Sequence, residues 1–315
     1  MSISAFRGMK PFSQLIFSGF VIVVTFLIVM FLGMLVSIPL FGFDSFLAFQ
    51  SGLNIQDVES LKLLKFLQVV QSIGLFILPP FIIAWLFHER INQYLLLNKN
   101  FTSASAVYII LLILFTLPLI NFLGEWNSQM QFPEWASGLE RWMKNAEERA
   151  EEITEAFLKT ENIGGLMFNL FMIAVLPALG EELLFRGVIQ RIFTQWTRNY
   201  HWGIWISSIL FSALHMQFYG FVPRLLLGVL FGYLLVWSGT IWLPILAHFL
   251  NNAFAVVAMY LVDNKIINPE IEEIGSTTDG YFAVLLSVLV VSALMWMIRR
   301  DNFGREPVYV KQENG

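Results

Sequence analysis

The stretch that decides the fold is residues 163–190, which read IGGLMFNLFMIAVLPALGEELLFRGVIQ. It is long and apolar enough to cross the roughly 30 Å hydrocarbon core of a bilayer as a helix, yet it carries Glu181, Glu182 and Arg186. One charge near the bilayer centre costs roughly 2.5–3.5 kcal/mol on insertion scales. Three would cost on the order of 7–10 kcal/mol unless they are paired or face water, so this segment is where function is to be sought.

Apolar segments of similar length recur along the chain. The composition agrees, because 57% of the 315 residues are hydrophobic and only 13% are charged, whereas a soluble domain carries about 25% charged residues. We therefore predict an all-α fold, a polytopic membrane helix bundle of about eight transmembrane helices, at 14–40, 63–87, 105–123, 163–190, 203–219, 220–237, 240–261 and 280–298.

These predicted helices divide the chain into four parts. Residues 1–123 hold transmembrane helices 1–3, and residues 124–162 form an acidic loop outside the membrane. Residues 163–261 hold helices 4–7 with the charged motif. Residues 262–315 hold a loop, the last transmembrane helix and a cytoplasmic tail.

The acidic loop has a helical pattern of its own between Leu139 and Leu158. It predicts an extramembrane amphipathic helix between helices 3 and 4, with a Glu-rich outer face. The helix either packs on the membrane domain or the membrane interface, or it acts as a lid that gates the substrate. Its apolar stripe consists of Leu139, Trp142, Met143, Ala146, Ala150, Ile153 and Phe157.

Charge and cysteine content exclude several classes of function. The chain has no cysteine, which removes disulfides and thiolate chemistry, and its net charge of −4 argues against nucleic-acid binding. The first apolar run is too long for a signal peptide, so we predict a retained helix. An even number of helices puts both termini on one side, which we predict to be the cytoplasmic side of a bacterial membrane because it holds Arg7, Lys10, Arg90, Lys99, Arg191, Arg198, Arg299, Arg300, Arg305 and Lys311.

The charged motif contains one obvious pair. Glu182 and Arg186 are four residues apart and share a helix face, whereas Glu181 lies about 100° around the helix. The simplest division gives Glu182 and Arg186 a structural role and leaves Glu181 for chemistry. Pro177 removes a backbone donor and predicts a kink. The alternative is an ion-pair network that only fixes helix packing.

Two further helices carry polar side chains within apolar runs. His215 follows Phe211 by four residues, and Asn252 follows His248 by four. Alone, His215 is typical of a hydrogen-bonded packing residue, and the His248–Asn252 pair is typical of interhelical hydrogen bonding. At about 1.5 Å rise per residue, however, all three polar clusters fall at similar depths, as one shared site requires.

These residue types suit the hydrolysis of a peptide bond. A Glu can take a proton from water and a His can share it, while a second His and an Asn can donate hydrogen bonds to a developing oxyanion. Glu181, His215 and His248 are also ligands that zinc accepts. The H-E-x-x-H pattern of zinc proteases and a pair of intramembrane aspartates are both absent from the sequence.

The motifs E-E-x-x-x-R, F-x-x-x-H and H-x-x-x-N, in that order on separate helices, resemble the CPBP family. That family includes the type II CAAX prenyl endopeptidases and bacterial bacteriocin-processing or self-immunity proteins. The resemblance covers about residues 163–260 and implies an intramembrane endopeptidase acting on a membrane-associated protein or peptide. It rests on Glu181, Glu182, Arg186, Phe211, His215, His248 and Asn252.

The resemblance also implies roles for these residues. Glu181 and His215 would activate water, and His248 and Asn252 would stabilise the oxyanion, with Glu182, Arg186 and Phe211 in support. We favour a mechanism without a metal or other cofactor over a zinc site. A non-enzymatic membrane scaffold or immunity protein and a proton-coupled transporter remain alternatives from other classes.

Overall fold

A computed structural model describes residues 6–43, 55–130, 132–268 and 280–311. All the regular structure in these residues is helical, which confirms the predicted all-α class. The predicted loop within residues 262–315 lies mostly outside the described residues. The longer helices are α1 (Pro11–Phe41), α2 (Val58–Phe87), α3 (Ser103–Ser128), α4 (Ser137–Leu158), α5 (Ile163–Thr197), α6 (Tyr200–Leu214), α7 (Phe221–Ser238), α8 (Trp242–Asp263) and α9 (Tyr281–Asp301).

Seven helices of the described residues are long and apolar enough to cross a membrane: α1–α3, α5 and α7–α9. On the outside of α1, the side chains of Phe20, Leu27 and Phe31 are more than half exposed, a surface suited to lipid. The protein is thus a polytopic membrane helix bundle. The eighth helix of the prediction is present among the described residues as α6, but it has only 15 residues, a length of about 22 Å.

The early end of α6 has a local cause. We predicted a helix over 203–219, but α6 ends at Leu214 and His215 is its C-cap. The next residue, Met216, has a φ of 56° and so lies in the left-handed region that commonly terminates helices. Glycine usually marks that position, and the first glycine here is Gly220. The sequence therefore gave no signal at the true end of the helix.

Although short, α6 contacts α7 near both of its own ends. Near its start, Nδ1 of His201 lies 2.7 Å from the hydroxyl of Tyr233 on α7. Near its end, the hydroxyl of Ser212 donates to the carbonyl of Phe221 at 2.7 Å. These contacts place α6 antiparallel to α7 along most of the length of α7.

Small residues allow the central helices to approach closely. On α7, Gly228 and Gly232 form a G-x-x-x-G pattern. A Cβ atom at these positions would lie 3.0 Å from the Cβ of Ser208 and 2.7 Å from Cγ2 of Ile204, both on α6. A Cβ at Gly180 on α5 would lie 2.6 Å from the Cβ of Phe76 on α2. Any larger residue at these positions would push the helices apart.

The described residues nearest the two chain termini lie at one end of the bundle, and the amphipathic helix α4 lies at the other. At one end, Arg191 lies over the ring of Tyr309 at 4.9 Å, and Thr240 donates to the carbonyl of Lys99 at 2.6 Å. The N-terminal region is at this end too, since Phe12 packs on Trp196 with ring centroids 5.6 Å apart. The amphipathic helix α4 lies at the opposite end.

The predicted orientation of the bundle can be tested by cysteine labelling, because the chain has no cysteine of its own. We expect a Glu148→Cys variant to react with a membrane-impermeant maleimide in intact bacteria, since Glu148 is exposed on α4. A Lys99→Cys variant should react only after the membrane is permeabilised. The reverse pattern would overturn the assignment of the basic end to the cytoplasm.

Candidate active site

The helix that carries the charged motif is not a regular α-helix throughout. In α5, an α-helical turn at Leu176–Glu181 lies between π-helical segments at Leu170–Val175 and Glu182–Ile189. Such π-helical segments are rare and are frequent at functional sites. They place Glu181 at a junction between two local geometries.

The proline at position 177 explains part of this irregularity. Proline has no N–H, so the carbonyl four residues earlier, that of Ile173, loses its usual helical donor. The side-chain amide of Asn252 on α8 donates to this carbonyl at 3.0 Å, and the Asn252 oxygen accepts from the amide of Asn251 at 3.1 Å. One N–H of the Asn252 side chain therefore forms a hydrogen bond that links α8 to α5.

Glu182 is completely buried and lies between a base on its own helix and a base on another. Its Oε1 lies 3.1 Å from Nη1 of Arg186 and 2.9 Å from Nδ1 of His248. The Arg186 contact is close, but it lacks the alignment of a hydrogen bond. Because an ionised carboxylate can only accept, Nδ1 of His248 must carry the proton when Glu182 is charged.

The guanidinium of Arg186 is held from several sides. Its Nη2 donates to the carbonyl of Gly228 on α7 at 3.1 Å. Its Cζ lies 4.6 Å from the ring centroid of Phe211 and 5.6 Å from that of Phe231, both cation–π geometries. The phenylalanine of the F-x-x-x-H motif thus contacts the arginine of the first motif.

The same phenylalanine positions His215. Nδ1 of His215 lies 2.7 Å from the carbonyl of Phe211, and the rings are 4.9 Å apart. A carbonyl can only accept, so Nδ1 carries the proton in this contact and Nε2 of a neutral His215 is the basic nitrogen. His215 is therefore oriented by its own helix.

Glu181 faces a cavity and not the buried ion pair. Its Oε2 lies 3.9 Å from Nε2 of His248, which is too far for a hydrogen bond. The cavity has a volume of about 790 Å³, and Glu181, His215, His248 and Asn252 all line it. The structure thus brings the four residues that we predicted as catalytic to one cavity.

The amphipathic helix α4 forms one wall of this cavity. Its residues Ala150, Ile153 and Phe157, all members of the predicted apolar stripe, line the cavity. Lys65 on α2 donates to the carbonyl of Phe157 at 2.7 Å and ties the end of α4 to the bundle. The helix therefore packs on the membrane domain and also covers the cavity.

The middle of α4 is held by the loop that follows α6. Oε2 of Glu147 accepts from the backbone N–H of Tyr219 at 3.2 Å, and the rings of Trp142 and Phe218 are 5.3 Å apart. Partial burial raises the pKa of Glu147, and the hydrogen bond from Tyr219 acts in the opposite direction.

The sequence analysis missed one charged residue that lines the cavity, Arg224 on α7. Its Nη1 and Nη2 donate to the backbone and side-chain oxygens of Gln217, at 3.3 and 2.8 Å. The signal was present, because Arg224 is the only charged residue in the predicted span 220–237. A charge in a membrane helix is a functional hypothesis by default.

The zinc alternative requires three converging ligands. In the part of the chain that the structure describes, no group of three or more His, Asp or Glu side chains has the arrangement of a metal site. No chemical step is assigned to a metal here, and the choice between the zinc and the metal-free mechanism is left to the elemental analysis and chelation experiment described below.

These features define a class: a multi-pass membrane protein in which a carboxylate from α5 and histidines from α6 and α8 share one cavity. Residues 163–254 match the family model described as "Type II CAAX prenyl endopeptidase Rce1-like". The match confirms the resemblance drawn from the three motifs. It includes all seven motif residues.

Three curated relatives are similar over part of the chain. "Uncharacterized protein YpbD" of Bacillus subtilis (strain 168) is 32% identical over 89 residues, 27% of this chain and 42% of the relative. An "Uncharacterized 24.3 kDa protein" of Escherichia coli is 30% identical over 31% of this chain and 48% of the relative. "Putative membrane peptidase YdiL" of B. subtilis is 28% identical over 35% and 43%, respectively. The chain spans less than half the length of each of these relatives, and no solved structure matches it.

The buried ion pair should dominate the stability of the site. Replacing Arg186 by Ala leaves the Glu182 carboxylate buried without its cation, so we expect a loss of about 3–5 kcal/mol in the free energy of unfolding. Thermal unfolding in detergent would measure it. The matched control is Arg300→Ala, which removes the exposed contact with Asp301 and should cost about 1 kcal/mol or less. Equal effects of the two substitutions would contradict the prediction.

Proposed function

We propose that the protein is an intramembrane endopeptidase that hydrolyses a peptide bond with water activated by Glu181 and His215. The observation that carries the proposal is the contrast between the adjacent glutamates. Glu182 is buried against Arg186 and His248, whereas Glu181 lines a cavity that it shares with both histidines. The Rce1-like match and the name of the relative YdiL support the same reaction class.

In the proposed reaction, the Glu181 carboxylate takes a proton from a water molecule while the water oxygen attacks the peptide carbonyl carbon. His215 assists through Nε2, which can accept and return a proton. Collapse of the tetrahedral intermediate breaks the C–N bond, and the proton passes to the leaving amine. The products are a carboxylic acid and an amine, and transfer of the acid proton gives a carboxylate and an ammonium group, so atoms and charges balance.

The oxyanion needs donors, and the geometry restricts them. Asn252 has a second N–H besides the one bound to Ile173. His248 has its Nδ1 proton directed at Glu182, so it can donate from Nε2 only as the doubly protonated imidazolium. We assign both to the oxyanion, with His248 acting in its charged form.

The substrate in this proposal is a membrane-associated protein or peptide, and the enzyme resides in a bacterial cytoplasmic membrane. The bundle itself requires a lipid environment. The bacterial origin of the relatives agrees with this location. The type II CAAX wording belongs to the family model, and the nature of any lipid on the substrate is left to the experiment.

The proposal predicts a large loss of activity in two variants. Comparative peptidomics of cells with wild-type or Glu181→Gln protein would first identify cleaved peptides, and the purified protein would then be assayed on them. We expect Glu181→Gln and His215→Ala to lower the turnover number by about 10²–10⁴-fold, the usual contribution of general acid–base catalysis. Glu152→Gln, on the exposed face of α4, is the control and should keep full activity.

Undiminished cleavage in both site variants would overturn the proposal. A cellular phenotype that survives Glu181→Gln but is lost when α4 is deleted would favour the scaffold or immunity alternative. Proton-coupled solute flux in liposomes would favour the transporter.

The metal-free mechanism has a separate test. We expect purified, active protein to contain zinc well below one equivalent by elemental analysis and to keep its rate after incubation with a strong chelator. Loss of activity with the chelator, followed by recovery on adding zinc, would replace the proposed mechanism with a zinc-dependent one.

A further inference from the structure

Arg224 is the charged residue of the cavity that the proposed mechanism does not use. It lies in the first turn of α7, is half-buried and lines the same cavity as Glu181 and His215. A guanidinium stays charged in proteins and is costly in an apolar membrane helix. We therefore expect the guanidinium of Arg224 to have a partner of opposite charge.

The protein positions this guanidinium but does not neutralise it. Gln217 accepts one hydrogen bond from each terminal nitrogen, and Gln217 is uncharged. A Cβ at Gly220 would lie 3.1 Å from Nη2, so the glycine leaves room for the group. These contacts hold the guanidinium at the cavity wall and leave further N–H donors for another partner.

No acidic side chain of the described residues forms an ion pair with Arg224. Glu147 and Glu181 act on it electrostatically, but the buried ion pair of the site joins Glu182 to Arg186, and the nearest base to Glu181 is His248. A fixed planar guanidinium with spare donors at the wall of a largely apolar cavity matches a carboxylate, which it can bind through two parallel hydrogen bonds.

Given the proposed peptidase function, on which this inference rests, we propose that Arg224 and Gln217 form a subsite that binds a carboxylate of the peptide substrate. Two groups of a peptide have this chemistry, the free C-terminus and an Asp or Glu side chain. The subsite lies at the α4 end of the cavity, next to the loop that connects α6 and α7. The peptide is thereby anchored at one point while Glu181 acts at another.

The test uses one synthetic peptide library prepared in three forms: with free C-terminal acids, with C-terminal amides, and with free acids but without Asp or Glu. Cleavage by purified wild-type, Arg224→Gln and Arg224→Lys protein is followed by mass spectrometry. Arg300→Gln, at the exposed end of α9, is the charge-matched control and should behave as wild type.

We expect wild type to cleave carboxylate-bearing peptides with a kcat/KM about 10–100-fold above that for peptides lacking the carboxylate, a range typical of one charge-assisted contact. Arg224→Gln should abolish this preference by raising KM for the carboxylate-bearing form, with little change for the other form. Arg224→Lys should restore part of it. The second and third forms of the library identify which carboxylate is bound.

An equal loss for all peptide forms would overturn the subsite and make Arg224 only a counter-charge for Glu181 and Glu147. An unchanged preference in Arg224→Gln would overturn it as well. The failure of the peptidase proposal itself looks different, because no form would then be cleaved by wild type. In that case, binding is measured as the rise in unfolding temperature that each peptide form gives to wild type and to Arg224→Gln. The same rise in both proteins for every peptide form would overturn the subsite.

Discussion

The buried carboxylate of Glu182 is the constraint on which the rest of the site depends. It contacts Arg186 on its own helix and His248 on α8, and Arg186 in turn contacts α7 through Gly228. Three helices are thus held through one buried ion pair with no access to water. Loss of either partner of this ion pair would leave a charge that the interior cannot solvate, so the pair is stable only when both residues are present.

A second connection joins the same two helices on the other side of Glu181. Pro177 leaves the carbonyl of Ile173 without its helical donor, and Asn252 supplies one from α8. Glu181 lies between this connection and the Glu182–His248 contact. Its position at the cavity is therefore fixed by two neighbouring interactions, neither of which uses its own carboxylate. This leaves Glu181 available for substrate chemistry while its backbone stays in place.

The parts of this structure that could be predicted are those that follow from local patterns. Long apolar runs gave the membrane helices, and the spacing of Glu182 and Arg186 gave their contact, because both depend only on helix geometry. The end of α6 could not be predicted, because Met216 adopts a left-handed conformation without a glycine. The apolar stripe of α4 left two interpretations open, a packed helix and a lid over the substrate site, since periodicity does not identify the packing partner. Arg224 was visible in the sequence, but its contact with Gln217 depends on the loop between α6 and α7.

The shortness of α6 has a consequence for the supply of water. Hydrolysis consumes a water molecule in every turnover, and the hydrocarbon core of a bilayer provides none. At about 22 Å, α6 is shorter than the roughly 30 Å core, and its C-cap is His215. Polar loop backbone therefore begins beside His215, a residue of the proposed site, about one to two turns earlier than it would after a full-length membrane helix. For the proposed hydrolysis, we expect water to reach the site along this loop, while the lipid-facing surfaces of the other helices stay intact.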